Sequence, residues 1–147
     1  MFEGRLLAIG ICKNDGDDVV SVSDIEAVAN VGLSGDRYAE KSKPKSAITL
    51  IEIEALRAAK RDHDFEISHL ASRRNLLTES VPLNHLVDRE FTVGEVRLRG
   101  VELCEPCGYL EKMTSKGAIK ALLHRGGLRA EIVESGKISV GDKVCPV

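Results

Sequence analysis

The amino-acid sequence predicts a mainly β domain with peripheral helices, an α+β arrangement whose strands form a closed or nearly closed β-barrel. Short apolar or alternating runs are separated by turns rich in Gly, Asn and Asp, which is typical of hairpins. Few segments have helical spacing. Aromatic residues make up 3% of the chain, so the core must be aliphatic. Closure is favoured because it hides strand edges that an open sheet exposes.

Length and charge narrow the class of protein. A chain of 147 residues is typical of one domain, so we expect a single domain over residues 1–147. The formal net charge of −2 argues against binding to nucleic acid or to a membrane surface. No apolar run approaches the roughly 20 residues of a membrane span, and no signal-peptide pattern is visible. We therefore expect a cytoplasmic protein.

The strands are predicted from β-branched runs and turn signals. Residues 4–13 and 19–22 flank a turn rich in Asn and Asp and are expected to form a hairpin. Residues 24–31 fit either a strand or a short helix. Residues 89–103 alternate as a half-buried β-ribbon, and residues 128–147 hold the remaining strands.

Two helices are predicted from their start signals. Thr49 and Glu52 fit the S/T-x-x-E capping box, and helical spacing then continues to about Lys60. Ser115 is a candidate N-cap for a helix over residues 116–124.

Two loops between these elements carry candidate ligand contacts. The segment over residues 32–38 has two glycines before Asp36 and Arg37, which suits a loop whose backbone approaches a ligand closely. The next loop, residues 39–46, holds Lys41, Lys43 and Lys45. It is interpreted either as a solvated loop or as a cationic lip for an anionic ligand.

A second polar cluster lies at residues 72–75, where Arg73, Arg74 and Asn75 follow a serine. Arginine suits phosphate because its planar fork donates two parallel hydrogen bonds. Surface ion pairs with the chain's many carboxylates explain the arginines equally well, and charge alone does not separate the two interpretations.

Cys104 and Cys107 form a C-x-x-C sequence between the ribbon and a short helical segment. A thiol near a helix N-terminus is more thiolate-like and serves as a nucleophile, sulfur acceptor or soft-metal ligand. The sequence has no second pair of cysteines or histidines that would complete a zinc site with this motif. It also lacks the βαβ context expected around a thioredoxin-type dithiol. We favour one functional cysteine, Cys107, with Cys104 packed beneath it. Cys12 and Cys145 lie in predicted strands and are interpreted as structural.

Five segments, in this order, resemble the MOSC domain family, named for the C-terminal domain of molybdenum cofactor sulfurase. They are G-x-x-G-D-R at 32–37, a strand and helix at 47–56, S-R-x-N at 72–75, an F-x-V-G ribbon leading from Phe91 to Cys107, and G-x-I-x-x-G-D-x-V at 136–144. The chain is similar to stand-alone bacterial members over about residues 4–145.

The resemblance implies a barrel-like domain that binds molybdenum cofactor (molybdopterin) and either carries sulfur to it or uses it for catalysis. The family cysteine is a molybdenum ligand or a persulfide carrier, and its match here is Cys107. Cys104 departs from the family pattern, so its participation stays open. The implied activity is a molybdenum-dependent oxidoreductase or a sulfur transferase, with a sulfur donor or redox protein as partner. The alternatives are a non-catalytic module that binds a cofactor or an anion, and a C-x-x-C thiol redox protein.

The cofactor is a pterin dithiolene with a terminal phosphate, and it needs a soft thiolate, cations and hydrogen-bond donors. Cys107 and Cys104 are the candidate catalytic residues, with Cys107 also the candidate metal ligand. The candidate cofactor-binding residues are Arg37, Arg73, Arg74, Asn75 and Arg125.

Overall fold

A computed structural model gives the structure of residues 1–147. Strands provide most of its regular structure. They are β1 (Gly4–Ile11), β2 (Val20–Val22), β3 (Asp24–Val28), β4 (Gly32–Leu33), β5 (Ile48–Glu52), β6 (Leu76–Glu79), β7 (Glu90–Val93), β8 (Val96–Leu103), β9 (Leu128–Glu134), β10 (Gly136–Ser139) and β11 (Lys143–Pro146). The α-helices are α1 (Ile53–His63), α2 (His69–Ser72), α3 (Gly108–Met113) and α4 (Ala118–Leu122). Short 3-10 helices span Arg37–Lys41, Pro44–Ser46 and Leu83–Leu86.

The large sheet closes into a barrel. Its strand order is β11-β7-β8-β9-β5-β6-β1-β2, and β1 pairs again with β11. Because β2 only extends β1 as the return of a hairpin, the other seven strands form the closed barrel. Among these strands only β5 and β6 are parallel, and α1 and α2 lie in the crossover between them. The closed barrel confirms the predicted mainly β architecture with peripheral helices.

Three further strands form a second, separate sheet in the order β10-β3-β4. It settles the ambiguity over residues 24–31, which begin with strand β3 rather than a helix. Strand β4 leads directly into a turn that ends at Asp36, the N-cap of the 3-10 helix that starts at Arg37.

The core is aliphatic, as the composition requires. A cluster of 19 buried residues fills the barrel, and Phe91 is its one aromatic member. A smaller cluster lies outside the barrel, where Ala59 of α1 packs with Leu110 of α3 and Leu122 of α4. This outer cluster places α3, and the cysteine loop before it, against the crossover helix.

Both predicted helix starts differ from the structure. Thr49 remains in β5, and its buried hydroxyl bonds Asn75 rather than capping α1. Glu52 occupies the N-cap position without a side-chain cap, and its carboxylate accepts a hydrogen bond from the Leu83 amide instead. The helix also continues past Lys60 to His63. The second helix starts at Ala118 with Gly117 at its N-cap, so Ser115 is not the cap.

None of the helices is long and apolar enough to cross a membrane.

Candidate functional site

The C-x-x-C sequence forms the loop between β8 and α3. Cys107 is the N-cap residue of α3 and is exposed, whereas Cys104 is 4% exposed. All four cysteines are free thiols. The two neighbours in the motif therefore differ in access, and Cys107 is the one that meets solvent.

The buried end of this loop is fixed by backbone contacts. The Cys104 amide donates to the Gly127 carbonyl at 2.7 Å. Gly126 lies so close that a Cβ there would collide with the Cys104 carbonyl, so this position needs glycine. The Cys104 Sγ accepts a hydrogen bond from Arg129 Nη2 at 3.4 Å. The loop is therefore fixed to the barrel at Cys104 before the chain reaches Cys107.

Arg74 supplies the other part of that anchor. Its side chain is buried, with Nε donating to the Gly126 carbonyl at 2.8 Å and Nη2 donating to the Cys104 carbonyl at 2.9 Å. The guanidinium thus joins the segment before β9 to the exit of β8. Its donors are directed at protein carbonyls, which makes Arg74 a support of the cysteine loop.

Arg73 points to a different neighbourhood. Its Nη1 donates to the Asp17 carbonyl at 2.9 Å, and its Nη2 lies 3.6 Å from Cys12 Sγ. The guanidinium carbon lies 6.0 Å from the centre of the Tyr109 ring, within the range of a cation–π contact. Because Tyr109 lies two residues after Cys107, this contact brings Arg73 to the start of α3. The Arg73 Nε is buried and has no hydrogen-bond partner.

Arg37 lies beside Arg73. Its Nη2 donates to the Tyr38 hydroxyl at 3.0 Å and to the Arg73 carbonyl at 3.4 Å. Burial disfavours the charge on Arg37, but its interactions with Tyr38, Asp36 and Cys12 outweigh that effect and raise its pKa. Its Nη1 is also buried without a hydrogen bond, at 3.8 Å from Asp36 Oδ1.

Asn75 and Asp36 form a buried polar network that joins the barrel to the Arg37 loop. The Asn75 Oδ1 accepts from the amide and hydroxyl of Thr49 at 3.0 and 3.1 Å. Its Nδ2 donates to the Gly10 carbonyl at 3.0 Å and to Asp36 Oδ1 at 3.3 Å. The same Asp36 oxygen accepts from the Cys12 amide at 2.9 Å. Asn75 is thus occupied in positioning loops.

Arg125 is not brought to this cluster. Its Nη1 donates to Asp62 Oδ2 at 3.0 Å. Arg61 and Arg125 hold the pKa of the Asp62 carboxyl well below its usual range. Arg125 lines a cavity of about 290 Å³ near α1, which contains neither Cys107 nor Arg73.

Sequence reasoning missed several members of the site. Asp36 and Tyr38 flank Arg37, but the sequence pattern names Asp36 only as part of the loop and gives Tyr38 no role. Tyr109 lies two residues after Cys107, and nothing in the sequence pattern marks it as a site residue. Arg129 lies on an alternating strand, where a charged residue is ordinary, and only the fold brings it to Cys104.

A smaller cavity of about 180 Å³ adjoins Arg129 and contains two of the three lysines of the predicted cationic lip. Its lining residues are Tyr38, Lys41, Lys43, Ser46 and Arg129. Lys45 is exposed and does not line it.

Three comparisons with known proteins bear on identity. The family model of the MOSC domain matches residues 36–145. YuaD from Bacillus subtilis superposes with a TM-score of 0.82 at 13% identity, covering 98% of this chain and 97% of that chain. YiiM from Geobacillus stearothermophilus gives a TM-score of 0.78 at 13% identity, covering 98% of this chain and 75% of that one. YiiM from Escherichia coli gives a TM-score of 0.72 at 17% identity, covering 97% of this chain and 69% of that one.

A search of curated protein sequences finds no match. The structural likenesses show a shared fold, and the family match covers most of the chain, including the Asp36–Arg37 loop, the arginine segment and both cysteines of the motif. The chain belongs to the MOSC domain family.

Proposed function

We propose that this chain binds molybdenum cofactor at the loop after β8 and uses Cys107 as a molybdenum ligand or as a persulfide carrier. The observation that carries the proposal is the exposed Cys107 thiol at the start of α3, with Arg73 reaching the same helix through Tyr109. A soft sulfur and a guanidinium group thus both lie near the start of α3, and the cofactor needs both types of group.

The chemistry of the donors fits an anionic ligand. Arg37 and Arg73 are each 7% exposed, and each keeps one buried N–H without a hydrogen-bond partner. Buried donors in proteins are nearly always paired, so two adjacent guanidinium groups with incompletely satisfied donors concentrate positive charge, which favours an anionic ligand nearby. We assign these two arginines to the cofactor's phosphate and pterin. Arg74 and Asn75 position the loops that carry Cys104 and Asp36. We do not assign Arg125 to the cofactor, because it lies apart from Cys107 and Arg73.

The bound cofactor would supply a redox-active metal with an exchangeable sulfur. The chain's own part is to present Cys107 on a fixed loop. In the sulfur-carrier form of the proposal, the Cys107 thiolate attacks the outer sulfur of a donor protein's persulfide. A new S–S bond forms at Cys107, and the donor's cysteine leaves as a thiolate.

The structure favours this single-cysteine role over a dithiol redox role. Thiol–disulfide exchange needs access to both sulfurs in turn. Cys104 is buried and its Sγ is held by Arg129, whereas Cys107 is exposed. Reversible oxidation would have to release that anchor.

The test is the molybdenum and pterin content of protein produced in cells that synthesise the cofactor. We expect Cys107→Ser to lose most of the bound molybdenum, or the persulfide label, while Cys104→Ser keeps much of it. Retention of the full cofactor by Cys107→Ser would instead indicate a binding module without chemistry at that sulfur. Absence of molybdenum and persulfide from the wild-type protein would contradict the proposal altogether.

A further inference from the structure

The 180 Å³ cavity is lined by positive and hydroxyl-bearing side chains and by no carboxylate. Lys41 comes from the first 3-10 helix, Lys43 from the link to the second, and Arg129 from the facing strand β9. Tyr38 and Ser46 complete the lining. Three cations from two parts of the chain, the 39–46 segment and strand β9, therefore converge on a space large enough for a small oxyanion group.

The nearest carboxylates neutralise this charge only in part. Asp15 lies 2.8 Å from Lys41 Nζ, and Glu102 lies 3.7 Å from Arg129 Nε. Both carboxylates are well exposed, at 63% and 66%, so water screens them. Lys43 has no ion-pair partner. The cavity therefore keeps an excess of positive charge.

Tyr38 lines the cavity and carries a hydroxyl group that can donate a hydrogen bond. Its hydroxyl oxygen accepts from Arg37 Nη2 at 3.0 Å, which leaves the hydroxyl proton free to bond elsewhere. The Arg37 guanidinium also lies 4.3 Å from the centre of the Tyr38 ring. Because the same guanidinium group contacts both the Tyr38 ring and the Tyr38 hydroxyl oxygen, the O–H group becomes a better donor to an anion.

Arg129 connects the cavity to the cysteine loop. Its Nη2 donates to Cys104 Sγ while the same side chain lines the cavity. Strand pairing sets Arg129 opposite Glu102, two residues before Cys104. An anion held here therefore lies one side chain away from the anchored end of the C-x-x-C loop.

We propose that this cavity binds a small oxyanion group, a carboxylate, sulfonate or similar substituent, on the molecule that reacts at the cysteine loop. The assignment to a reacting molecule rests on the proposed function, whereas oxyanion binding itself does not. The buried arginines Arg37 and Arg73 are left to the cofactor.

The first test uses the full chain without cofactor and inorganic sulfate as the probe, titrated by calorimetry at constant ionic strength against a chloride control. Lys43→Gln is expected to weaken sulfate binding roughly three-fold, because the lysine is exposed. Arg129→Gln is expected to weaken it roughly ten-fold, because a fork-shaped donor is lost. Lys120→Gln, an exposed lysine on α4, is the matched control and should leave the affinity unchanged. Equal sulfate affinity in all four proteins, or no sulfate binding in the wild type, overturns the proposal.

The second test measures molybdenum and pterin in the same variants made in cofactor-producing cells. We expect Lys43→Gln to keep the wild-type content. A fall in pterin parallel to the fall in sulfate affinity would show that the cavity holds the cofactor's phosphate, and it would overturn the assignment. Sulfate binding that depends on Lys43, in a protein that never contains molybdenum or a persulfide, would support the oxyanion cavity and contradict the proposed function.

Discussion

Arg73 and Arg74 are consecutive, yet their guanidinium groups serve different parts of the molecule. Arg73 has a left-handed backbone with φ 62°, which ends α2 and turns the chain between the two side chains. Arg73 then reaches the Asp17 carbonyl, and Arg74 reaches the carbonyl of Cys104. The sequence pattern predicts an arginine pair suited to anions. It carries no signal for the left-handed turn, because arginine rarely adopts that conformation.

At the residue scale, Arg74→Gln is expected to lower the free energy of unfolding by about 2–3 kcal/mol, because buried carbonyls lose charged donors. Urea denaturation measures the change. Arg57→Gln, an exposed position on α1, should stay within about 0.5 kcal/mol of the wild type. If the two variants lose the same small amount, Arg74 is not the anchor of the cysteine loop.

At the element scale, α3 and α4 are tied together by one carboxylate. Glu111 Oε1 accepts from the Gly117 amide at 3.1 Å and from the Ile119 amide at 3.2 Å, which are donors at the start of α4. The local pattern pointed to Ser115. The true acceptor lies one helix earlier, and Gly117, with φ 106°, turns the chain back to meet it.

Glu111→Ala is therefore expected to cost about 1 kcal/mol of stability, the usual effect of losing a helix cap. Amide hydrogen exchange should become faster at Gly117 and Ile119, because their acceptor is gone. Lys112→Ala removes the neighbouring exposed side chain and should leave both rates unchanged. Unaltered exchange in Glu111→Ala would show that the cap does not stabilise α4.

At the scale of the whole molecule, stability should depend on pH through His69. Burial lowers the pKa of this imidazole from its usual 6.5, and its Nε2 has no hydrogen-bond partner. The folded protein thus holds His69 neutral, while the unfolded chain takes up a proton below about pH 6.5. The contribution is fully present above that pH and is lost as the pH falls towards the folded pKa.

Denaturation at pH 7 and pH 5.5 checks this expectation. His69→Asn should show a smaller loss of stability on acidification than the wild type. His63→Asn, at an exposed position, should behave like the wild type. A wild-type slope in His69→Asn would contradict the prediction.

The barrel, its hairpin and the ribbon were predictable because alternation and turn residues are local features. Positions set by packing between distant segments were not. Arg125 is predicted as a cofactor ligand because the cofactor needs cations, and the structure places it beside Asp62 at the end of α1, apart from Cys107 and Arg73. Arg129 carries no signal in the sequence, and only the fold places it next to Cys104. Cys107 stood out because its C-x-x-C sequence and the helix after it are adjacent in the chain.

The barrel is closed by its first and last strands, which share the register pairs Gly4 with Val144 and Arg5 with Lys143. Contacts between such distant residues are entropically costly, and they form late in folding. A growing chain therefore keeps its barrel open until β11 has left the ribosome. Any ligand that needs the closed barrel binds only after β11 has been synthesised, so the synthesis of the earlier strands and the binding of the ligand are separate steps in time.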